Sequence, residues 1–179
     1  KMKWLTKART PKISSNGLRV ACRDRKNRIE VRSSRTGRLI KRISNVSPKA
    51  LFALDHQGKR LLYTTKQQGK HHLRIVSVDS GKELARSAAV GFAPQQLLFS
   101  VKPTLVALVG NGKLALLAVD TAEILLTRPQ KSSLVALSQG RLVEITQAGT
   151  ILAAHDLILP EKPKKSARRG VKREEKLAR

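Results

Sequence analysis

Basic residues carry most of the chemistry this sequence offers. The stretch from Glu161 to Arg179 holds nine Lys or Arg and three Glu, a net +6. Within it, Lys162, Lys164, Lys165, Arg168, Arg169, Lys172 and Arg173 supply closely spaced ammonium and guanidinium groups, which grip phosphate oxygens without reading bases. A second cluster, Arg23, Arg25, Lys26 and Arg28, surrounds the polar turn DRKN. Over the whole chain 37 Lys and Arg stand against 12 Asp and Glu, giving +25 and a sequence pI near 11.4. Residues 1–42 carry fifteen basic and two acidic groups, whereas residues 43–160 carry thirteen and seven, so the excess gathers at the two ends. Such an imbalance repels itself unless a polyanion or counterions neutralise it, and nucleic acid is the leading candidate. Aromatic residues make up 3% of the chain, too few to stack bases, so contact with the phosphate backbone is expected rather than base reading. A solvated end that aids solubility or directs import is the plainer reading of the tail. Attachment to an anionic membrane would need an apolar face that the tail lacks.

The remaining reactive residue types assemble no site. His71 and His72 are adjacent, so in a strand they point to opposite faces and cannot share a metal. Cys22, His56 and His155 stand apart without ligand spacing, so neither a metal nor a cofactor is expected. The segment VGNGKL, Val109 to Leu114, contains Gly-Asn-Gly-Lys but lacks the full spacing, the hydroxyl residue and the helix of a phosphate loop. Asn111-Gly112 between alternating apolar runs reads instead as a hairpin turn. No Ser sits in a nucleophile elbow, and Asp55 beside His56 reads as a turn. The sequence therefore predicts no enzyme. One cysteine excludes an intramolecular disulfide framework and suits a reducing compartment, and it is equally compatible with many exported bacterial proteins.

The elements that would position these groups are short strands. With 40% hydrophobic residues in 179, the chain supports one domain with an aliphatic core. No apolar run approaches the 18 residues of a membrane-spanning helix. The stretch LRIVSVDSGKEL, Leu73 to Leu84, alternates like a strand and then turns at Asp79, Ser80 and Gly81. Its pattern recurs in RIEVRSSRTGRLI (Arg28 to Ile40), in LALLAVDTAEILL (Leu114 to Leu126) and more weakly in RLVEITQAGTIL (Arg141 to Leu152). Anchored on Gly37, Gly81, Ala122 and Gly149, the intervals are 44, 41 and 27 residues. A period of about 40 to 45 belongs to propeller blades of four short strands. The short last interval predicts a fourth unit that is degenerate or has lost a strand.

In chain order, residues 1–17 read as a basic lead-in or the outer strand of an incomplete blade, with Trp4 favouring partial order. Lys1 is not an initiator methionine and no apolar leader follows, so the chain's natural start is expected to lie elsewhere. Residues 18–159 read as three-stranded meanders: LRVACR, RIEVRS and RLIKRI; then ALFALD, KRLLYTT and LRIVSV around a basic loop KQQGKHH; then QQLLFS, TLVALV and KLALLAV; then SLVALS, RLVEIT and TILAAHD. Residues 160–179 form the tail, disordered or helical on a partner.

This pattern, over about residues 18–155, resembles the WD-repeat propeller superfamily, whose blade ends in a strand, a Trp-Asp pair and a turn Gly. Where that pair would stand, the chain has Arg32-Ser33, Val76-Ser77 and Leu117-Ala118, and the Gly-His pair that opens such blades is missing. TolB-like and quinoprotein-like propellers share the same hairpin grammar. The resemblance implies an all-β, partial WD-like propeller of about three and a half blades with a basic C-terminal extension. It also implies that the blades missing from a seven-bladed ring lie in missing chain, in a partner, or nowhere. Combined with the charge, it predicts a noncatalytic scaffold in a ribonucleoprotein, a ribosome or ribosome-assembly particle foremost. The expected partners are rRNA and other proteins, and the expected location is intracellular: nucleus or nucleolus first, mitochondrion or cytoplasm as alternatives. The rival is a protein-only propeller that completes its ring with another chain, its tail a targeting signal.

Overall fold

A computed structural model describes residues 9–100, 105–130, 134–138, 141–145 and 151–156, and their regular structure is entirely β-strand. Four antiparallel sheets follow one another along the chain, each a meander in sequence order. Blade 1 holds β1 (Arg9–Ile13), β2 (Arg19–Arg23), β3 (Ile29–Ser33) and β4 (Leu39–Ile43). Blade 2 holds β5 (Phe52–Leu54), β6 (Arg60–Gln67), β7 (Lys70–Ser77) and β8 (Glu83–Arg86). Blade 3 holds β9 (Gln96–Ser100), β10 (Leu105–Gly110), β11 (Lys113–Ala118) and β12 (Ile124–Pro129). Blade 4 has three strands, β13 (Leu134–Ser138), β14 (Arg141–Ile145) and β15 (Ile151–Asp156). First strands neighbour one another, β1 beside β5, β5 beside β9 and β9 beside β13, as blades do around an axis.

Three expectations change. The complete units have four strands rather than three, because β1, β8 and β12 join the meanders. β1 is the first strand of blade 1 and lies beside β5, not an outer strand, so the boundary at residue 18 falls inside the sheet. The basic stretch KQQGKHH is not a loop: it continues β6 and β7 to the pair Gln67↔Lys70, leaving a two-residue turn at Gln68 and Gly69, both at positive φ (48° and 79°). Asn111 and Gly112 (φ 50° and 65°) make the expected hairpin between β10 and β11. Trp4 and the tail lie outside the described residues.

The repeat is visible atom by atom in the turn before each fourth strand. Gly37, Gly81 and Ala122 all have positive φ, 73°, 76° and 57°. Their amides donate to the carbonyls of Ser33, Ser77 and Ala118 at 2.9, 2.8 and 2.9 Å. In each blade the strand register also slips just before this turn, between Val31 and Arg32, Ile75 and Val76, and Leu116 and Leu117. The left-handed backbone at this turn position explains why two of the three are glycine. Gly149 is not the fourth member, since it lies between β14 and β15, the second and third strands of blade 4. The short interval therefore reflects an anchor in a different hairpin, and the fourth sheet has three strands among the described residues, one fewer than the others, as a unit that has lost a strand would.

Side chains alternate across each blade, so every interior sheet must satisfy two neighbours. Ala21, Ile29 and Val31 of blade 1 meet Leu61, Tyr63, Val76 and Val78 of blade 2. The other face of blade 2, with Leu62, Leu73 and Ile75, meets Val106, Leu108, Leu117 and Val119. Leu105, Ala107, Leu114 and Leu116 then face Leu137 of blade 4. β10 is buried along its whole length, which is why it reads as an unbroken apolar run. Its end, Gly110, runs under the chain entering blade 3: an added Cβ would stand 2.3 Å from the Ala93 carbonyl oxygen and 2.9 Å from the Gln95 nitrogen.

Candidate functional site

The first basic cluster divides into structural and exposed members. Arg23 is 6% exposed, and its guanidinium donates to the carbonyls of Asn27, Ser47 and Ala50 at 3.1, 3.0 and 2.7 Å while lying 5.4 Å from the Phe52 ring centroid. Burial lowers its pKa from the ordinary arginine value, and three carbonyl acceptors hold it in place. Arg23 therefore ties the β2–β3 turn to the segment entering blade 2. Arg28 pairs with Asp24 at 2.6 Å, and Asp24 Oδ1 also accepts from the amides of Lys26 and Arg28. Only Arg25 and Lys26 stand exposed at the tip of the turn. The seven tail residues from Lys162 to Arg173 lie outside the described residues.

The two acids of residues 1–42 are both neutralised from within. Glu30 is 6% exposed and accepts from Arg32 and Arg42, one on each oxygen, at 2.7 Å. Burial on its own would raise the Glu30 carboxyl, but the hydrogen bonds from Arg32 and Arg42 hold it below the usual value. Arg9, Lys12, Arg25, Lys26, Arg35 and Arg38 of the same blade stand exposed. Folding thus concentrates the charge of the first blade at its surface.

A cleft of about 530 Å³ opens where β1 and the segments leading into β5 and β9 converge. Lys12, Lys49 and Arg23 line it together with Thr10, Phe52 and Gln96, and no carboxylate, imidazole or thiol is among its lining residues. It offers cations and amides to an anionic group, and no general base. This cleft was not legible in the sequence, because Lys12, Lys49 and Gln96 come from three blades and share no motif.

Cys22 is buried, and burial foremost, with the nearby Glu30 charge adding, raises its thiol pKa, so it stays protonated. His71 and His72 lie in β7, as alternation requires. The His72 ring nitrogen Nδ1 sits 3.1 Å from the Ser87 carbonyl oxygen, and burial, with Lys66 next, lowers the His71 pKa. Among the described residues no cluster of His, Cys, Asp or Glu is placed to hold a metal ion, and no helix is long and apolar enough to cross a membrane.

No family model matches the chain, and no curated protein matches it. Solved structures do. The WD40 domain of SCAP from fission yeast aligns with a TM-score of 0.61 at 16% identity, covering 81% of this chain and 41% of that one. The computationally designed Ika4 protein aligns at 0.59 and 18% identity over 78% of this chain and 86% of its own, and the designed Ika8 protein at 0.56 and 17% over 75% and 42%. The chain thus spans about two fifths of the fission yeast domain. At these identities the likeness establishes architecture: the chain is folded as a partial WD-like β-propeller, with three four-stranded blades followed by a fourth of three strands among the described residues.

Proposed function

We propose that this chain is a noncatalytic docking module of a ribonucleoprotein, presenting blade edges and turns to other proteins while its basic ends contact RNA phosphates. The observation that carries the RNA half is charge. Of the +25, residues 1–42 hold +13 and residues 161–179 hold +6, and the two acids of the first blade are already bonded to Arg28, Arg32 and Arg42. The exposed cations left over, Arg25 and Lys26 among them, and the lysines of the cleft favour a polyanion. Lys162, Lys164, Lys165, Arg168, Arg169, Lys172 and Arg173 extend that contact in this reading, Arg23 and Arg28 serving to shape the turn that displays their neighbours. A ribosomal or ribosome-assembly particle in the nucleus or nucleolus is the setting this favours.

Filter binding to a structured RNA tests the reading. If about six groups neutralise phosphates, affinity falls by about three orders of magnitude between 50 and 200 mM salt. Deleting residues 161–179 weakens binding and lowers the salt slope. No affinity at low salt, or affinity unchanged by the deletion, refutes the RNA half. The protein-only reading has its own support in the three-stranded fourth sheet, whose last strand, β15, has no further strand beside it among the described residues. Light scattering with and without nuclease separates the two: nuclease-sensitive mass supports RNA, and a nuclease-resistant oligomer supports a ring completed by protein.

A further inference from the structure

The two ends of the blades differ in charge. Antiparallel meanders put the turns between second and third strands at one end, and the turns from first to second and from third to fourth strands at the other. Both ends line up from blade to blade. At the first end the cleft gathers the starts of β1 and β9 with the chain entering β5. At the second end two interblade ion pairs recur: Arg19, which opens β2, holds Asp79 of the β7–β8 turn, and Arg60, which opens β6, holds Asp120 of the β11–β12 turn.

The acids of blades 1 to 3 sort accordingly. Asp55, Asp79, Glu83, Asp120 and Glu123 all lie at the second end. Toward the first end stand only Asp24, bonded to Arg28, and Glu30, bonded to Arg32 and Arg42. Exposed at that end are Arg25, Lys26, Lys49, Lys66, Lys70 and Lys113. Four of these six come from residues 43–160, the part of the chain whose charge balance is least unusual. Folding separates its lysines from its acids.

The β6–β7 hairpin carries two of the lysines furthest out. It runs eight residue pairs from Arg60↔Ser77 to Gln67↔Lys70, where the matching hairpins of blades 1 and 3 run five and six. Two extra pairs extend it about 7 Å beyond the hairpin of blade 3. The exposed large apolar side chains avoid this end: Ile13, Leu18 and Leu84 lie at the second end, and Leu126 lies midway along β12. A cationic, projecting end without such groups suits a hydrated polyanion and gives a membrane little to bury.

We propose that this end of the blades faces RNA, with the β6–β7 hairpin as its leading arm and Lys49, Lys66, Lys70 and Lys113 joining Arg25 and Lys26 on the phosphates. The proposal rests on the RNA reading above and gives it a face beyond the two chain ends.

Fluorescence anisotropy of the full chain with a labelled RNA hairpin, across about 50 to 200 mM salt, tests it. The variant Lys49→Gln, Lys66→Gln, Lys70→Gln, Lys113→Gln is compared with Arg35→Gln, Arg38→Gln, Lys59→Gln, Lys82→Gln, which removes as much charge from exposed positions at the second end. Strands of five residues or more hold the two sets about 17 Å apart, beyond the screening distance of about 10 Å at 0.1 M salt. The first variant is expected to bind at least about tenfold more weakly and to lower the salt slope by about 4. The second should stay within about threefold of wild type. Equal losses in both, or none in the first, overturn the face and leave the RNA reading standing, whereas no binding by wild type overturns both. Tighter binding to phosphatidylserine vesicles than to RNA, through the same four lysines, overturns the proposal in favour of a membrane. Lys66→Gln with Lys70→Gln alone is expected to lower the slope by about 2, which covers a failure of the fourfold variant to fold.

Discussion

Blades 1 and 3 are built on the same register, yet the faces they turn toward the preceding position differ in kind. On the third strand blade 3 places Ala115 and Leu117 there, both fully buried, and follows them with Val119 in the turn. Blade 1 has Glu30, Arg32 and Ser34 at the matching positions, with Arg42 completing an ion cluster around Glu30. Blade 2 is intermediate, with Arg74, Val76 and Val78, and there Arg74 and Arg86 share Glu83. The difference teaches that the repeat fixes backbone and register, while the neighbour fixes side-chain chemistry. A face covered by another blade must be apolar, because an unpaired charge there would be desolvated. The face of blade 1, with no blade before it among the described residues, carries its charges as a mutually bonded group.

Exchanging residues between the two faces should break that comparison most sharply. Leu117→Arg puts the blade 1 residue into a site with no exposure and is expected to cost about 3–5 kcal/mol, or to prevent folding, by leaving a charge buried and unpaired. The reciprocal Arg32→Leu gives up bonds to Glu30 and to the Gly37 carbonyl and should cost about 1 kcal/mol. Urea denaturation of both measures the contrast, and equal losses would refute it.

Gly110→Ala comes next, at about 1–3 kcal/mol. Its Cβ would meet backbone atoms of Ala93 and Gln95 rather than a movable side chain. The same assay reads it, and an unchanged midpoint would mean that the segment entering blade 3 yields easily.

The Glu30 cluster makes blade 1 sensitive to acid. Its folded pKa lies below the ordinary glutamate value of about 4.3, so its contribution is present above that value and lost as pH falls through the lower folded one. Wild type should therefore exceed Glu30→Gln in stability at neutral pH, and the two should converge as pH falls below about 4. Parallel curves from melts across this range would assign the cluster no role.

The smallest effects belong to the shared turn. Gly81→Ala takes a residue at φ 76° into a strained region and should cost about 1 kcal/mol, since the Lys41 side-chain end that its Cβ meets can swing aside by giving up its exposed bond to the Ser80 carbonyl. Ala122→Gly relieves similar strain but removes a methyl group that is 1% exposed, so its net effect stays under about 1 kcal/mol. Thermal melts of the two variants compare the turns directly.

Much of the architecture was legible in the sequence because it is local. Leu73 to Val78 and Leu114 to Val119 alternate or run apolar according to how many faces they bury, and Asn111-Gly112 marks a hairpin through its tolerance of positive φ. Weakly patterned strands escaped notice. Glu83–Arg86 and Arg9–Ile13 have too few apolar residues to announce a strand, and each exists because a neighbouring strand pairs with it. The candidate sites were less legible. DRKN reads as four polar residues between basic ones, and nothing local distinguishes Arg23 from Arg25. The one available signal for the interblade pairs was an aspartate two residues before the turn anchor in the second and third copies, replaced by Arg35 in the first.

By itself, then, the sequence determined the period, the strand type, the aliphatic core and the surplus of positive charge, since these follow from composition and from spacing along the chain. Only the tertiary structure decided which arginines are structural, which blade faces are paired, and that Gly149 belongs to a different hairpin from Gly37 and Gly81. Those outcomes depend on what lies across a gap from each side chain, such as the three carbonyls around Arg23 or Asp120 beside Arg60, and neighbours in space are set by the stacking of sheets.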